Sequence, residues 1–139
     1  MTPADVQPFY TAYAAAFIRQ DSAALAAAWS FPAVISGPGA TLACDEAVFR
    51  RNVDALFGFY TRQGVADASA IVTAVEPLAP GVVLAHIRYA MLAGDGGTIA
   101  AWDTQYLLRD RGPGWRAFAA VSDGEVAAWA ARGTPLGSR

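Results

Sequence analysis

Four β-rich segments follow one another in the second half of the chain, and this succession limits the folds open to it. They span residues 67 to 78, 82 to 93, 98 to 109 and 114 to 122, and short turns rich in glycine, proline and aspartate separate them. Segments joined in this way form an antiparallel meander. The first half of the chain has helical spacing instead. Helices followed by a meander predict an α+β domain in which helices cover one face of a sheet.

Three helices are predicted before the meander, each from its first residues and its apolar spacing. The first should run from Pro3 to about Arg19, the second from its cap Asp21 to about Trp29, and the third from Asp45 to Gly64. Aspartate is a favourable N-cap, and glycine commonly ends a helix. Residues 33 to 36 and 41 to 43 read as a small hairpin between the second and third helices.

The end of the chain gives a weaker pattern. After residue 124 we expect one short helix around Trp129. From about residue 133 the composition of glycine, threonine, proline and serine predicts a mobile tail. No linker or second domain is visible, so residues 1 to 139 should form one domain.

Composition excludes several classes of function. The net charge is -2, and the ten basic residues, all arginine, are scattered, so a nucleic-acid partner is not expected. Cys44 is the only cysteine and His86 the only histidine, and no second ligand motif lies near His86, so a zinc or iron site with the usual three protein ligands is not expected. We therefore expect no metal and no cofactor. No stretch reaches 18 apolar residues, and no basic leader precedes an apolar run, which predicts a soluble cytoplasmic protein without membrane contact.

Several short motifs resemble those of one known family. They are the run from Phe9 to Asp21, then Leu25, Trp29 and Phe31-Pro32, a third helix ending in Tyr60 and Gly64, Tyr106-Leu107-Leu108-Arg109, and Gly114-Trp115-Arg116. Together they resemble the SnoaL-like branch of the nuclear transport factor 2-like (NTF2-like) superfamily. That resemblance implies a cone-shaped, cystatin-like roll, in which a strongly curved and mainly antiparallel sheet wraps around the N-terminal helices and leaves a pocket between them. It also implies a homodimer, and it brings in ketosteroid isomerases, polyketide cyclases and dehydratases as relatives.

The isomerase pattern transfers to this chain only in part. Tyr13 lies eight residues before Asp21, as does the tyrosine that donates a hydrogen bond to the developing oxyanion in ketosteroid isomerases. The catalytic aspartate of those enzymes falls on Gly37, so the base is missing. Their second donor falls on Asp103 or Thr104, and a shift of one residue would exchange the faces of the strand.

The alternation of side chains leaves two questions open: which face of the strand from 98 to 109 lines the cavity, and which role His86 has. On the strand from 98 to 109, one face carries Trp102 and Tyr106 and the other carries Asp103 and Gln105. We favour the first face as the cavity wall because it is more apolar, and Asp103 would then point outward. His86 is either a hydrogen-bonded, half-buried sheet residue or a cavity base near Tyr13.

The function that these observations favour is binding of a small apolar or partly polar molecule in a cavity between helices and sheet. The candidate ligand-binding side chains are Tyr13, Trp29, Tyr60, Trp102, Tyr106 and Phe118, although aromatic core packing explains many of them equally well. One alternative is a cofactor-independent lyase, cyclase or isomerase in which Tyr13 acts with His86 or Asp103. Another is a structural homodimer module.

Overall fold

A computed structural model describes residues 1–137 and contains, in that range, four helices and six strands. They are α1 (Pro3–Ile18), α2 (Ser22–Ala27), β1 (Trp29–Ser36), β2 (Thr41–Cys44), α3 (Glu46–Arg62), β3 (Asp67–Ala79), β4 (Val82–Leu92), β5 (Thr98–Asp110), β6 (Trp115–Val121) and α4 (Asp123–Ala131). The fold is therefore α+β, as predicted. Ser138 and Arg139, at the end of the predicted mobile tail, lie outside the described residues.

The six strands form one open, mostly antiparallel sheet in the order β2-β1-β6-β5-β4-β3. Strands β3 to β6 pair antiparallel with their sequence neighbours, which confirms the meander. The hairpin is confirmed as well, because β1 and β2 pair antiparallel. β1 joins the meander through parallel pairing with β6, a long-range contact that the sequence pattern did not predict.

The helix starts follow the predicted caps. The Asp21 side chain accepts a hydrogen bond from the Ala24 amide at 3.0 Å. Asp45 does the same for the Val48 amide at 2.9 Å. Each carboxylate satisfies an amide that has no partner within its helix. α3 therefore begins where the sequence indicated, and the chain leaves it through Gly64, whose φ is +80°.

The predicted end of the second helix is wrong. α2 stops at Ala27, and Trp29 is the first residue of β1 rather than the last turn of a helix. The reason is tertiary: the Ala117 amide of β6 donates to the Ala28 carbonyl at 2.9 Å and draws the chain into the sheet. Pro32 lies inside β1, at a point where the β1–β6 register is irregular and no ladder amide is needed.

The core lies between the inner face of the sheet and the helices. α1 contributes Val6 and Tyr10, both fully buried, and α4 contributes Trp129, which is also fully buried. The Trp129 ring packs 5.1 Å from the ring of Phe59 and 5.8 Å from that of Trp102, measured between centroids. α4 thus folds back over the inner face of β5. Within residues 1–137, no helix combines the length and apolar character needed to span a bilayer.

Candidate functional site

A cavity of about 560 Å³ lies between the inner face of the sheet and helices α1, α3 and α4. Its walls are mainly aromatic and aliphatic. Among the residues that line it, those with polar side chains include Tyr13, Asn52, Tyr60, Thr104, Ser122 and Glu125. A mostly apolar space with a few polar groups is the usual form of a small-molecule site.

The cavity has an open side and a closed end. At the β1–β2 hairpin and α3, several lining residues are exposed to solvent, and Leu42 is 61% exposed. At the opposite end, Tyr89, Trp102 and Tyr106 are buried. We conclude that Leu42 lies at the mouth and that these aromatic side chains form the floor.

Tyr13 lines the cavity, and a hydrogen bond fixes the orientation of its hydroxyl group. Its oxygen accepts a hydrogen bond from the Trp29 indole Nε1 at 2.9 Å, between two buried side chains. Since an indole N–H only donates, the tyrosine proton is left for another acceptor. Burial raises the pKa of Tyr13 well above its usual range, so the hydroxyl stays neutral and acts as a donor.

A pair of tyrosine hydroxyl groups lies on the sheet side of the cavity. The hydroxyl oxygens of Tyr89 and Tyr106 are 2.7 Å apart, and both side chains are buried. Burial raises the pKa of both phenols, so they too remain neutral. One hydroxyl donates to the other, which leaves one proton of the pair for a further acceptor.

Glu125, in the first turn of α4, is the acidic residue among the cavity-lining residues of the described chain. Its Oε2 accepts hydrogen bonds from the Tyr60 hydroxyl and, at 3.1 Å, from the Trp129 indole N–H. Within residues 1–137, Oε1 has no hydrogen-bond partner. Burial raises the pKa of Glu125, and the two hydrogen bonds partly oppose that rise.

Sequence reasoning missed Glu125. An acidic residue in the first turn of a helix is common on a protein surface, where it interacts with the helix dipole. The only local signal was Trp129 four residues later, on the same face of the helix, whose indole could reach back to an acceptor. The contact with Tyr60 spans 65 residues and could not be read from the sequence.

Most of the predicted ligand-binding side chains border the cavity. Those on its walls are Tyr13, Trp29, Tyr60, Trp102 and Tyr106. The favoured face of β5 is confirmed, because Trp102, Thr104 and Tyr106 point inward and are buried. Contact of these residues with a ligand stays a prediction.

Phe118 does not border the cavity, contrary to expectation. Its neighbour Ala117 occupies the inward, buried position of β6, so Phe118 points to the outer face of the sheet. There the Arg109 guanidinium lies 5.6 Å from the centre of its ring. This is a surface cation–π contact rather than a cavity wall.

His86 and Asp103 also lie on the outer face, and neither meets Tyr13. Nε2 of His86 is 2.8 Å from a carboxylate oxygen of Glu76, and its side chain is 32% exposed, which fits the hydrogen-bonded, half-buried alternative. Asp103 is 59% exposed and lies 3.6 Å from Arg88. The prediction that Tyr13 meets His86 or Asp103 is therefore wrong. β4 and β5 direct the neighbouring side chains, such as Ile87 and Trp102, inward instead.

Comparison with known proteins places the chain in a family. The family model described as NTF2-like protein (DUF6841) matches residues 4–125. The chain belongs to this NTF2-like family. A search of curated proteins finds no match.

Similar solved structures agree with this NTF2-like fold. A ketosteroid isomerase-like protein from Erwinia carotovora atroseptica SCRI1043 has 20% sequence identity and a TM-score of 0.63, with 86% of this chain and 92% of that chain covered. A cystatin-like domain of unknown function from Nostoc punctiforme PCC 73102 has 18% identity and a TM-score of 0.67, with 87% and 77% covered. A proposed dehydratase of the NTF2-like family from Streptomyces avermitilis has 16% identity and a TM-score of 0.62, with 86% and 92% covered. At these identities the likeness concerns the fold alone.

Proposed function

We propose that this NTF2-like protein is a small-molecule-binding domain of the SnoaL-like branch, whose ligand is mainly apolar and carries a polar group. The observation that carries the proposal is the cavity of about 560 Å³ between helices and sheet. That volume lies within the range of roughly 300 to 1,000 Å³ typical of small-molecule sites. Aromatic walls would bind an apolar body, and the few polar atoms would orient it.

A neutral, environment-sensitive dye such as Nile red tests this proposal directly. The expected result is a blue-shifted gain in fluorescence that apolar competitors reverse. The same competitors should raise the melting temperature, because a ligand that binds only the folded state stabilises it. If the dye shows no change and no apolar compound shifts the melting temperature, the proposal is wrong.

Two matched leucines provide the control for location. Leu42 at the mouth is 61% exposed, and Leu78 at the end of β3, away from the cavity, is 57% exposed. Leu42→Asp removes apolar contact at the mouth and should weaken dye binding by about fivefold. This corresponds to losing the burial energy of about half a leucine side chain, about 1 kcal/mol. Leu78→Asp makes the same chemical change elsewhere and should leave binding as it is.

The alternative function is a cofactor-independent lyase, cyclase or isomerase. With His86 and Asp103 on the outer face, its proton-transferring group would be Glu125, which lines the same cavity as Tyr13. Besides burial, the charge of Glu125 contributes to the raised pKa of Tyr13, so the two side chains lie within electrostatic reach. Tyr13 would donate a hydrogen bond to a carbonyl oxygen while Glu125 moves a proton.

Deuterium incorporation into simple enolisable ketones, followed by NMR, tests this alternative without a known substrate. Tyr13→Phe and Glu125→Gln should each lower the exchange rate by about 10²-fold or more while the far-UV spectrum is retained. Exchange no faster than in buffer, or equal rates in wild type and both variants, would rule the alternative out.

A homodimer and a cytoplasmic location also remain proposals. Light scattering coupled to size exclusion measures the first, with twice the chain mass as the expected result. If only the monomer mass is found across micromolar concentrations, the dimer proposal fails, and with it the alternative of a structural homodimer module.

A further inference from the structure

We propose that the ligand is a hydrophobic amine whose protonated nitrogen binds Oε1 of Glu125. This inference rests on the proposed small-molecule-binding function and names the chemical class of its ligand. Four features of the cavity support it: the signs of the charges on its walls, the geometry of the carboxylate, the surrounding aromatic groups and the proton balance.

The described residues that line the cavity include an acidic side chain and no basic side chain. Among the lining residues of the described chain, Glu125 is the carboxylic acid, and there is no arginine, lysine or histidine. A bound carboxylate or phosphate would therefore meet no cation and would face Glu125. A bound ammonium would instead complete a charge pair, and a buried carboxylate is stable only when it is paired or hydrogen-bonded.

The carboxylate of Glu125 is fixed with one oxygen available. Tyr60 and Trp129 both donate to Oε2, on opposite sides of the α3–α4 contact. Oε1 receives no hydrogen bond from residues 1–137, and Glu125 itself lines the cavity. A preorganised acceptor of this kind matches a donor on the ligand, and a charged donor gives the stronger hydrogen bond.

The surroundings of Oε1 suit a cation. The pKa values of the phenols of Tyr13, Tyr60 and Tyr106 are raised mainly by burial, and the negative charge of Glu125 adds to the rise at each. All three phenols therefore lie within electrostatic reach of Glu125. An ammonium group has three donors, and phenol oxygens accept hydrogen bonds. Faces of tyrosine and tryptophan rings attract cations as well. A nitrogen at Oε1 would therefore find further acceptors and aromatic rings close by.

Proton balance adds a further argument. Burial raises the pKa of Glu125, and a cation beside the carboxylate would oppose that rise. A protonated amine that binds the ionised acid forms an ammonium–carboxylate pair. A neutral amine that meets the protonated acid gives the same pair, because the O–H bond of the acid breaks as the new N–H bond forms. One proton is shared between nitrogen and Oε1 in either route, so no bond other than N–H is made and no other reactant is needed.

Three probes of one shape test the inference by calorimetric titration at pH 7. They are 4-phenylbutylamine, 4-phenylbutan-1-ol and 4-phenylbutanoate, which differ in charge while sharing the apolar body. In the wild-type protein the amine should bind at least about tenfold more tightly than the alcohol, as expected for a charge-assisted hydrogen bond. The carboxylate should bind most weakly.

Glu125→Gln keeps the shape and the hydrogen-bond acceptor while it removes the charge, and it should bring the amine to within about twofold of the alcohol. Glu76→Gln removes the same charge from an exposed residue on the outer face of the sheet, 58% exposed, and the amine preference should persist. This second variant separates local recognition from the net charge of the protein.

Each outcome decides between the proposals. Equal binding of amine and alcohol by the wild type overturns the amine inference and leaves the small-molecule function standing, without reference to any variant. A preference that survives Glu125→Gln, or that is lost equally in Glu76→Gln, also overturns it. If none of the three probes and no neutral dye binds, the proposed function itself is wrong and the amine inference falls with it.

Discussion

The approach of α4 to the sheet allows a quantitative prediction for one substitution, Gly124→Ala. A Cβ atom at residue 124 would lie 2.2 Å from the backbone oxygen of Asp103 and 3.3 Å from its carbonyl carbon. Ordinary contacts begin at 3.4 Å, so the two backbones must separate by about 1 Å. Asp103 is paired with Arg88 of β4, and β5 pairs with β6 from Gln105 onward, so the strand resists movement. The start of α4 must therefore move, and it carries Glu125.

The size of the effect follows from overpacking. Forcing extra atoms into a packed contact costs about 1 to 3 kcal/mol of unfolding free energy. Unfolding entropy of about 2.1 cal/mol/K per residue, taken over the 139 residues of the chain, relates 1 kcal/mol to about 3 °C in melting temperature. Gly124→Ala should accordingly lower the melting temperature by about 3 to 10 °C, measured by differential scanning calorimetry.

Gly58→Ala is the matched control, because it makes the same change inside α3. There the added carbon would lie 3.4 Å from Nη1 of Arg62, the far end of a flexible side chain. Alanine is the better helix former by about 0.5 to 1 kcal/mol, so this variant should melt about 2 to 3 °C higher than the wild type. If Gly124→Ala also melts at or above the wild-type temperature, α4 does not approach β5 as closely as described, and the position of Glu125 must be reconsidered.

Three further predictions concern buried polar groups. Tyr10→Phe should raise the unfolding free energy by about 1 kcal/mol or more in urea denaturation, because the buried hydroxyl has no partner within residues 1–137; a loss would contradict this. Tyr106→Phe should cost about 1 to 3 kcal/mol by leaving the Tyr89 hydroxyl unpaired, and adding Tyr89→Phe should recover part of that loss; additive losses would refute the pairing. The melting temperature of Glu125→Gln relative to wild type should rise with pH above 4.5, because a carboxyl group whose pKa is raised in the folded state stabilises the wild type at low pH and loses that contribution as it ionises. The neighbouring tyrosines stay neutral over this range. A constant difference in melting temperature between pH 4 and 8 would exclude a raised pKa for Glu125.

The order and type of most elements could be predicted because their signals are local. Aspartate caps at Asp21 and Asp45 fixed the starts of two helices, and alternation fixed the strands of the meander. On β5 the more apolar face, with Trp102 and Tyr106, proved to be the inner one. Burial of apolar area decides which face turns inward when the two faces differ enough, so this choice follows from composition along the strand.

The sequence by itself thus determined the α+β fold, the NTF2-like resemblance and most of the aromatic cavity wall, since each depends on local patterns and on their order along the chain. Only the tertiary structure decided which other residues line the cavity. His86 is an exception, because it shares its face of β4 with Arg88 whereas the other face is wholly apolar, so alternation alone already favoured the outer face. Glu125 reaches the cavity only because α4 folds back over β5 and meets Tyr60, 65 residues earlier in the chain. Such a contact depends on how whole elements pack, and residue spacing within a helix carries no record of it.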